Sequence, residues 1–327
     1  MTIIDDIFFT VESTASLRIV AAILLTVTSI TGTIFNIIVL FAIIFRVNKK
    51  DGFLKICCLK SFGNSIVCIG YLIWPVPVTF LNDYFLPHMF NAFMGQLVGW
   101  FAWCIGPFSQ VLLTSNRIFA VFFPHVYSRN YRYAPSSFGI LICLTLAFIV
   151  FIAFFPEGCH FLYNLQYIGW LPEESMCTSV RRVIFLVSMF IIVIFTTFCG
   201  ILLFLKLIAD SFQQSLAMTD SQSSTRRLQH QKNLLQTLVQ NGLILVDTLN
   251  TTVTYQVFSL LFFQFITLAF SMVFIRTVEG FIMIAMNERI NKGAKLLIGM
   301  KSAESSQSRI GHTMMVWNAS TTSAYQK

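Results

Sequence analysis

Charge is scarce in this chain: 11% of its 327 residues are Asp, Glu, Lys or Arg, while 56% are hydrophobic and 35 are phenylalanine. A water-soluble domain could not bury so much apolar surface, which excludes a soluble fold. No basic cluster precedes the first apolar run, where Asp5, Asp6 and Glu12 stand instead. No cleavable signal peptide is therefore expected, and the first helix is read as its own insertion signal. Residues for catalysis are equally sparse. His88, His125, His160, His230 and His312 fall in loops or at helix ends, with no Ser-His or His-x-x-x-His spacing on an apolar run. Neither an enzyme, a metal centre nor a cofactor is expected. Proline is absent from residues 234–287, so no bend there can be proline-induced.

The chain is rich in long apolar runs. A helical span needs roughly 20 apolar residues, and seven passes of that length fit between Ile19 and Asn287. Five are delimited by the charges that flank them: Arg18 and Arg46, Lys60 and Asp83, Asp83 and Arg117, Arg132 and Glu157, Arg182 and Lys206. The stretch from Leu234 to Asn287 suits two passes, placed near Leu234 to Gln256 and Phe262 to Met286, with Asp247, Arg276 and Glu279 as its only charges. The fold expected is an all-α polytopic membrane protein, a seven-transmembrane helix bundle. Residues 1–18 form a short outer N-terminus, 19–287 the bundle and 288–327 a cytoplasmic tail.

Orientation follows from the basic residues. Of the 22 Lys and Arg residues, eighteen lie on one side: five between Arg46 and Lys60, three between Arg117 and Arg132, four between Lys206 and Lys232, and six after Asn287. Arg18, Arg181 and Arg182 lie on the other side, and Arg276 lies within a pass. The basic side is cytoplasmic and the N-terminus outside. Basic loops facing anionic lipid headgroups account for the net charge of +8 without invoking nucleic acid.

The third pass ends in Ser115-Asn116-Arg117-Ile118-Phe119-Ala120-Val121-Phe122-Phe123-Pro124. This resembles the Asp-Arg-Tyr, Ala-Val and Pro segment of rhodopsin-like receptors, which also keep an asparagine in helix 1, as Asn36 does here. The bland alternative is that Arg117 snorkels to the interface. Further blocks are Phe62-Gly63-Asn64-Ser65-Ile66, Trp74-Pro75-Val76-Pro77, Cys159 with Cys177, Gln236, Gln240-Asn241, and the segment Glu279 to Arg289. In order and spacing, from about Gly32 to Arg289, they are similar to the nematode serpentine chemoreceptors, most of all the Srx class. That resemblance implies a G-protein-coupled chemoreceptor at the plasma membrane of a sensory neuron cilium. It senses a small molecule and signals through a heterotrimeric G protein, with Arg117, Asn116 and Pro124 at the coupling end.

Departures from the rhodopsin pattern bear on mechanism. Asn116 stands where an acid normally precedes the arginine, so no carboxylate pins Arg117 within its own helix. The usual receptor disulfide to helix 3 would need a cysteine near Ala92, and there is none. A bridge of Cys159 to Cys177 within the second extracellular loop is expected instead, giving a stiff lid that carries Tyr163 and Trp170; two free thiols are the alternative. Cys57 and Cys58 are read as packing residues or lipid-attachment sites. Helix 3 has no acid from Tyr84 to Asn116 to pair with an amine, and helix 7 has no lysine for a retinal Schiff base. The expected ligand is small and neutral or weakly polar, held inside the bundle by Gln96, Trp100, Phe101, Trp103 and Asp247. The same aromatic stripe would also suit an interfacial belt.

Asp247, Arg276 and Glu279 are costly within a membrane unless paired. Asp247 with Arg276, or Arg276 with Glu279 three residues on, would satisfy them, as a switch or as a purely structural pair. The Lys206 to Lys232 loop reads as a flexible Ser, Thr and Gln-rich segment entering an extended sixth helix. The tail starts as a short membrane-surface helix, weakened by Gly293 and Gly299. Hydroxyl-rich residues 302–323 follow, where phosphorylation would favour an arrestin. A transporter or channel is the rival reading, but it would want a polar pathway or an internal repeat. An insect-type odorant channel has the opposite orientation.

Overall fold

The computed structural model describes residues 14–47, 51–123, 135–153, 155–156, 158–173, 175–215, 221–254, 257 and 259–299. Among them run eight helices in chain order: α1 Ala15–Arg46, α2 Gly52–Leu81, α3 His88–Phe122, α4 Pro135–Ala153, α5 Met176–Ser215, α6 Ser221–Leu249, α7 Leu261–Met286 and α8 Glu288–Leu297. Between α4 and α5 lies a hairpin of two antiparallel strands, β1 Phe161–Asn164 and β2 Gly169–Pro172. Pro124, much of the second cytoplasmic loop and the hydroxyl-rich tail fall outside the described residues.

Local chemistry sets the helix ends. Thr14 Oγ1 accepts from the Leu17 amide and Asp51 Oδ1 from that of Leu54, while Asn287 Oδ1 accepts from Arg289 and Ile290. Each cap satisfies amides that the first turn leaves without partners. α2 breaks at Trp74, where the backbone leaves the helical region (φ −122°, ψ −67°), and resumes at Pro75. Four stretches widen into π-helix: Ala42–Arg46, Gly95–Ala102, Asn250–Thr254 and Ile266–Phe270. The last two lie at the outer ends of α6 and α7, where proline is missing.

α1 shows how the bundle meets lipid. Ile19, Ile23, Val27, Ile30 and Ile34 recur every three or four residues and are exposed, while Leu17, Ala21, Leu25, Ser29, Gly32, Asn36 and Val39 on the other face are buried. The buried face packs on α2 and α7. Gly32 lies against Thr277 and Cys68, and Gly280 against the Asn36 amide. An outer core gathers Tyr71, Trp74, Val98, Trp103, Tyr163, Trp170 and Phe265. An inner one gathers Val39, Ile43, Phe53, Leu54, Leu113, Met283 and Ile290.

Among the described residues, six helices, α1 to α5 and α7, are long and apolar enough to cross a membrane. α6 is the polar one, because Gln236, Thr237, Gln240, Asn241, Asp247 and Thr248 turn inward and are buried. It packs on α3, α5 and α7 and completes the seven-helix bundle.

Three expectations need correction. Lys60 is not a loop residue: it lies well inside α2, wholly buried, because the Asp51 cap starts that helix before it. The third cytoplasmic loop is mostly helix. α5 continues past Lys206 to Ser215 and α6 already starts at Ser221, since the Gln, Arg and Leu residues there are good helix formers. The tail glycines are not weaknesses either. Gly293 lets α8 approach Ala42 closely, and Gly299, at φ +77°, adopts the left-handed conformation that ends the helix.

Candidate functional site

Four ionisable side chains meet in the middle of the bundle. Lys60 of α2 and Glu279 of α7 pair at 2.8 Å, Arg276 and Glu279 at 3.3 Å, and Arg276 and Asp247 of α6 at 2.7 Å, all with side chains at most 1% exposed. Two cations and two anions balance, so the cluster carries no net charge when all four are ionised. Burying charges is tolerable only with such pairing and with hydrogen bonds to the remaining lone pairs. Some of those bonds are present: Asn64 Nδ2 donates to Glu279 Oε2 at 3.0 Å and Trp103 Nε1 to Asp247 Oδ2 at 2.8 Å, whereas Asp247 Oδ1 and Arg276 Nε are buried without a hydrogen-bond partner among the described residues. Gly106 makes room for the Arg276 guanidinium, since a Cβ there would stand 2.7 Å from Nη1.

The cluster extends into a polar spine. Lys60 Nζ donates to Gln110 Oε1 at 2.7 Å; Gln110 Nε2 donates to Asn241 Oδ1 at 2.6 Å and to the Thr237 carbonyl at 3.1 Å; Asn241 Nδ2 donates to the Thr196 carbonyl at 2.9 Å. From α1, Asn36 Nδ2 reaches the Arg276 carbonyl at 3.1 Å. Among the described residues, six of the seven helices of the bundle thus share one connected network, with α4 outside it.

Above the spine the hairpin is set into the bundle. Asn91 of α3 behaves as a strand partner for Tyr163: its Oδ1 accepts from the Tyr163 amide at 2.9 Å and its Nδ2 donates to the Tyr163 carbonyl at 3.0 Å, while Trp74 Nε1 donates to the same Oδ1 at 2.8 Å. The Tyr163 hydroxyl meets Thr79 Oγ1 at 2.6 Å, and the Tyr84 hydroxyl donates to the Tyr163 carbonyl and accepts from the Leu165 amide. Burial pushes the Tyr163 hydroxyl pKa up against the Thr79 bond, and pushes that of Tyr84 up against the Leu165 bond. Gly95 and Gly99 give β1 its seat, because a Cβ at either would overlap Phe161. Cys159 and Cys177 are disulfide-bonded, with Cα atoms 5.7 Å apart, and close the base of the hairpin.

The residues singled out in the sequence fall into three places. Trp103 and Asp247 are in direct contact. Trp100 packs instead on Phe161 of the hairpin, with ring centroids 5.1 Å apart, and Gln96 is buried in the same π-helical stretch of α3. With Trp100 6% and Trp103 5% exposed, these rings belong to the interior and not to an interfacial belt. Arg117 is at the other end, with its guanidinium carbon 3.9 Å above the Phe53 ring. It is 6% exposed, so it does not snorkel. Asn116 is beside it, near Gly52 of α2. The alternatives for the buried charges prove not to be exclusive, since Arg276 pairs with both Asp247 and Glu279. Cys57 and Cys58 both lie within α2, Cys57 buried and Cys58 partly so. Sequence reading missed Lys60, Gln110 and Asn91. The Asp51-Gly52 helix start was the available signal for Lys60; nothing local marked the other two.

Comparison with curated proteins finds no matching sequence. Among solved structures, the crystal structure of squid rhodopsin superposes with a TM-score of 0.67, covering 88% of this chain and 87% of that one at 11% identity. At that identity the likeness shows the fold alone. A seven-helix membrane bundle is also what the family match implies. The pattern of the serpentine type 7TM GPCR chemoreceptors of class Srx fits residues 26–287, and the chain belongs to that family of multi-pass membrane receptors.

Proposed function

We propose that this receptor detects a small, neutral or weakly polar molecule within the outer half of the bundle and activates a heterotrimeric G protein at its cytosolic mouth, in the cilium of a sensory neuron. The observation that carries this reading is the polar spine. It begins at Trp103 and Asp247, under the hairpin, and continues through Arg276, Glu279, Lys60 and Gln110 to Asn241 on α6 and Thr196 on α5. A molecule that displaces the Trp103 indole from Asp247 alters the hydrogen bonding of the charge holding α6 to α7. Differential contact of that kind is what a ligand needs to shift a conformational equilibrium. Arg117, buried over Phe53 in this arrangement, would be released to meet the G protein when the helices part. Arrestin and lipid partners would act on the same basic face.

The test is a G-protein activation assay on the membrane-expressed chain, challenged with small volatile and water-soluble cues, comparing wild type with Arg117→Ala. A ligand-dependent signal lost in the variant at unchanged surface expression supports the proposal. A ligand-dependent solute or ion flux that persists without G protein would replace it with the transporter reading.

A further inference from the structure

At the outer surface, away from the spine, three metal-ligating side chains converge. His88 is the first residue of α3, His160 immediately precedes β1 and Glu173 immediately follows β2. One donor atom from each lies within 4.8 Å of the others. Glu173 Oε2 is 3.3 Å from His160 Nδ1 and Glu173 Oε1 is 3.7 Å from His88 Nε2.

The hydrogen bonds orient His160 for this. Its Nε2 lies 3.1 Å from the Phe155 carbonyl, an acceptor only, so that nitrogen carries the proton. In the neutral ring Nδ1 then turns a lone pair towards a carboxylate oxygen. The facing pair is satisfied either by a proton on Nδ1, as an imidazolium–carboxylate ion pair, or by a metal cation seated between the two atoms. A ring nitrogen bonded to a backbone carbonyl while the other faces a metal is the usual arrangement of a histidine ligand. Two ligands held about 2.0–2.1 Å from a tetrahedral ion stand about 3.3 Å apart, which matches the Nδ1 to Oε2 separation.

The frame is firm on one side and open on the other. His160 is 2% exposed, and the Glu173 amide donates to its carbonyl at 2.8 Å, while its own amide donates to Glu173 Oε2 at 3.2 Å. The adjacent Cys159 is held by the disulfide. His88, with 57% of its side chain exposed, leaves a path for an ion from solution.

We infer that His88, His160 and Glu173 form an extracellular site for one divalent transition-metal ion of the zinc type, which ties the start of α3 to the base of the hairpin. Two imidazoles and one carboxylate suit zinc, whereas magnesium and calcium call for oxygen ligands. A fourth position is left for water or a small donor molecule.

The experiment uses the full chain without a polyhistidine tag, in lipid nanodiscs and stripped with chelator. Zn²⁺ is titrated by calorimetry, Co²⁺ by visible absorption, and Mg²⁺ serves as control. The expected result is one Zn²⁺ per chain, a tetrahedral Co²⁺ spectrum and no Mg²⁺ binding. His88→Ala and Glu173→Gln should each weaken Zn²⁺ binding about tenfold or more, and His88→Ala, at an exposed position, should leave expression and the disulfide intact. Wild type that fails to bind Zn²⁺ saturably, or binding that His88→Ala leaves unchanged, overturns the site.

Discussion

Glu279 of α7 holds Lys60 of α2 at 2.8 Å, with both side chains wholly shielded from solvent. Because Glu279 also binds Arg276, neutralising it leaves two cations facing the single carboxylate of Asp247, which Arg276 holds, and strands Lys60. Glu279→Gln is expected to destabilise the receptor by about 3–5 kcal/mol, seen as lost surface expression and a lower thermal midpoint. Adding Lys60→Met leaves the Asp247 and Arg276 pair balanced and should recover part of the loss. Strictly additive effects of the two substitutions would contradict the pairing.

Gly95 faces the Phe161 carbonyl so closely that a Cβ there would overlap it, while a Cβ on Gly242 of α6 would meet nothing within 4 Å. The same substitution therefore has opposite signs at the two sites. Gly95→Ala should cost about 1–3 kcal/mol through overpacking. Gly242→Ala should gain about 0.5–1 kcal/mol from helix propensity. Thermal unfolding in detergent measures both.

Asn91→Ala removes the partner of the Trp74 indole and of both backbone groups of Tyr163, each worth about 1–3 kcal/mol when left buried without one. Asn91→Asp retains the two acceptor roles but sets a carboxylate oxygen against the Tyr163 carbonyl in place of the donor. Amide exchange at Tyr163 should rise strongly in the first variant and less in the second. Equal protection in all three proteins would refute the latch.

Burial raises the pKa of the Tyr84 hydroxyl from 10.0 and acts in the same direction on Tyr163. Since the folded state holds these protons more tightly than the unfolded one, their contribution is complete below about pH 10 and is lost as the pH climbs through the folded values. The hairpin should keep its amide protection up to that pH and lose it above, together with a rise in tyrosinate absorbance.

Asp51 both caps α2 and binds Arg289 of α8 at 2.9 Å. Asp51→Asn keeps a capping side chain and removes only the ion pair, which is exposed and should be worth under about 1 kcal/mol and fade at high salt. Asp51→Ala should cost about 1 kcal/mol more, at any salt concentration. Midpoints of the two variants at low and high salt separate the roles.

The seven passes were legible because lipid-facing isoleucines and flanking charges are one-dimensional signals. The Arg276 and Glu279 pair was legible too, since three residues along a helix fixes a shared face. Lys60 misled because a lysine near a basic loop reads as part of it; only the partner carboxylate, far along the chain, reveals it as interior. A sixth pass was anticipated although α6 is polar, because its neighbours left room for two passes, but the helix starts at Ser221 and not near Leu234. Asn91 could not be found: an amide that imitates a strand is recognisable only once the hairpin beside it exists.

The docking of the hairpin has a consequence for biosynthesis. Its hydrogen-bond partners Thr79, Tyr84 and Asn91, and the glycine seat at Gly95 and Gly99, all precede it in the chain, whereas Leu268, against Gly169, follows it. A nascent polypeptide halted after Cys177 already holds the latch, the seat and both cysteines. The outer face can therefore be assembled and oxidised while the last helices are still in the ribosome, so the order of synthesis is also an order of assembly.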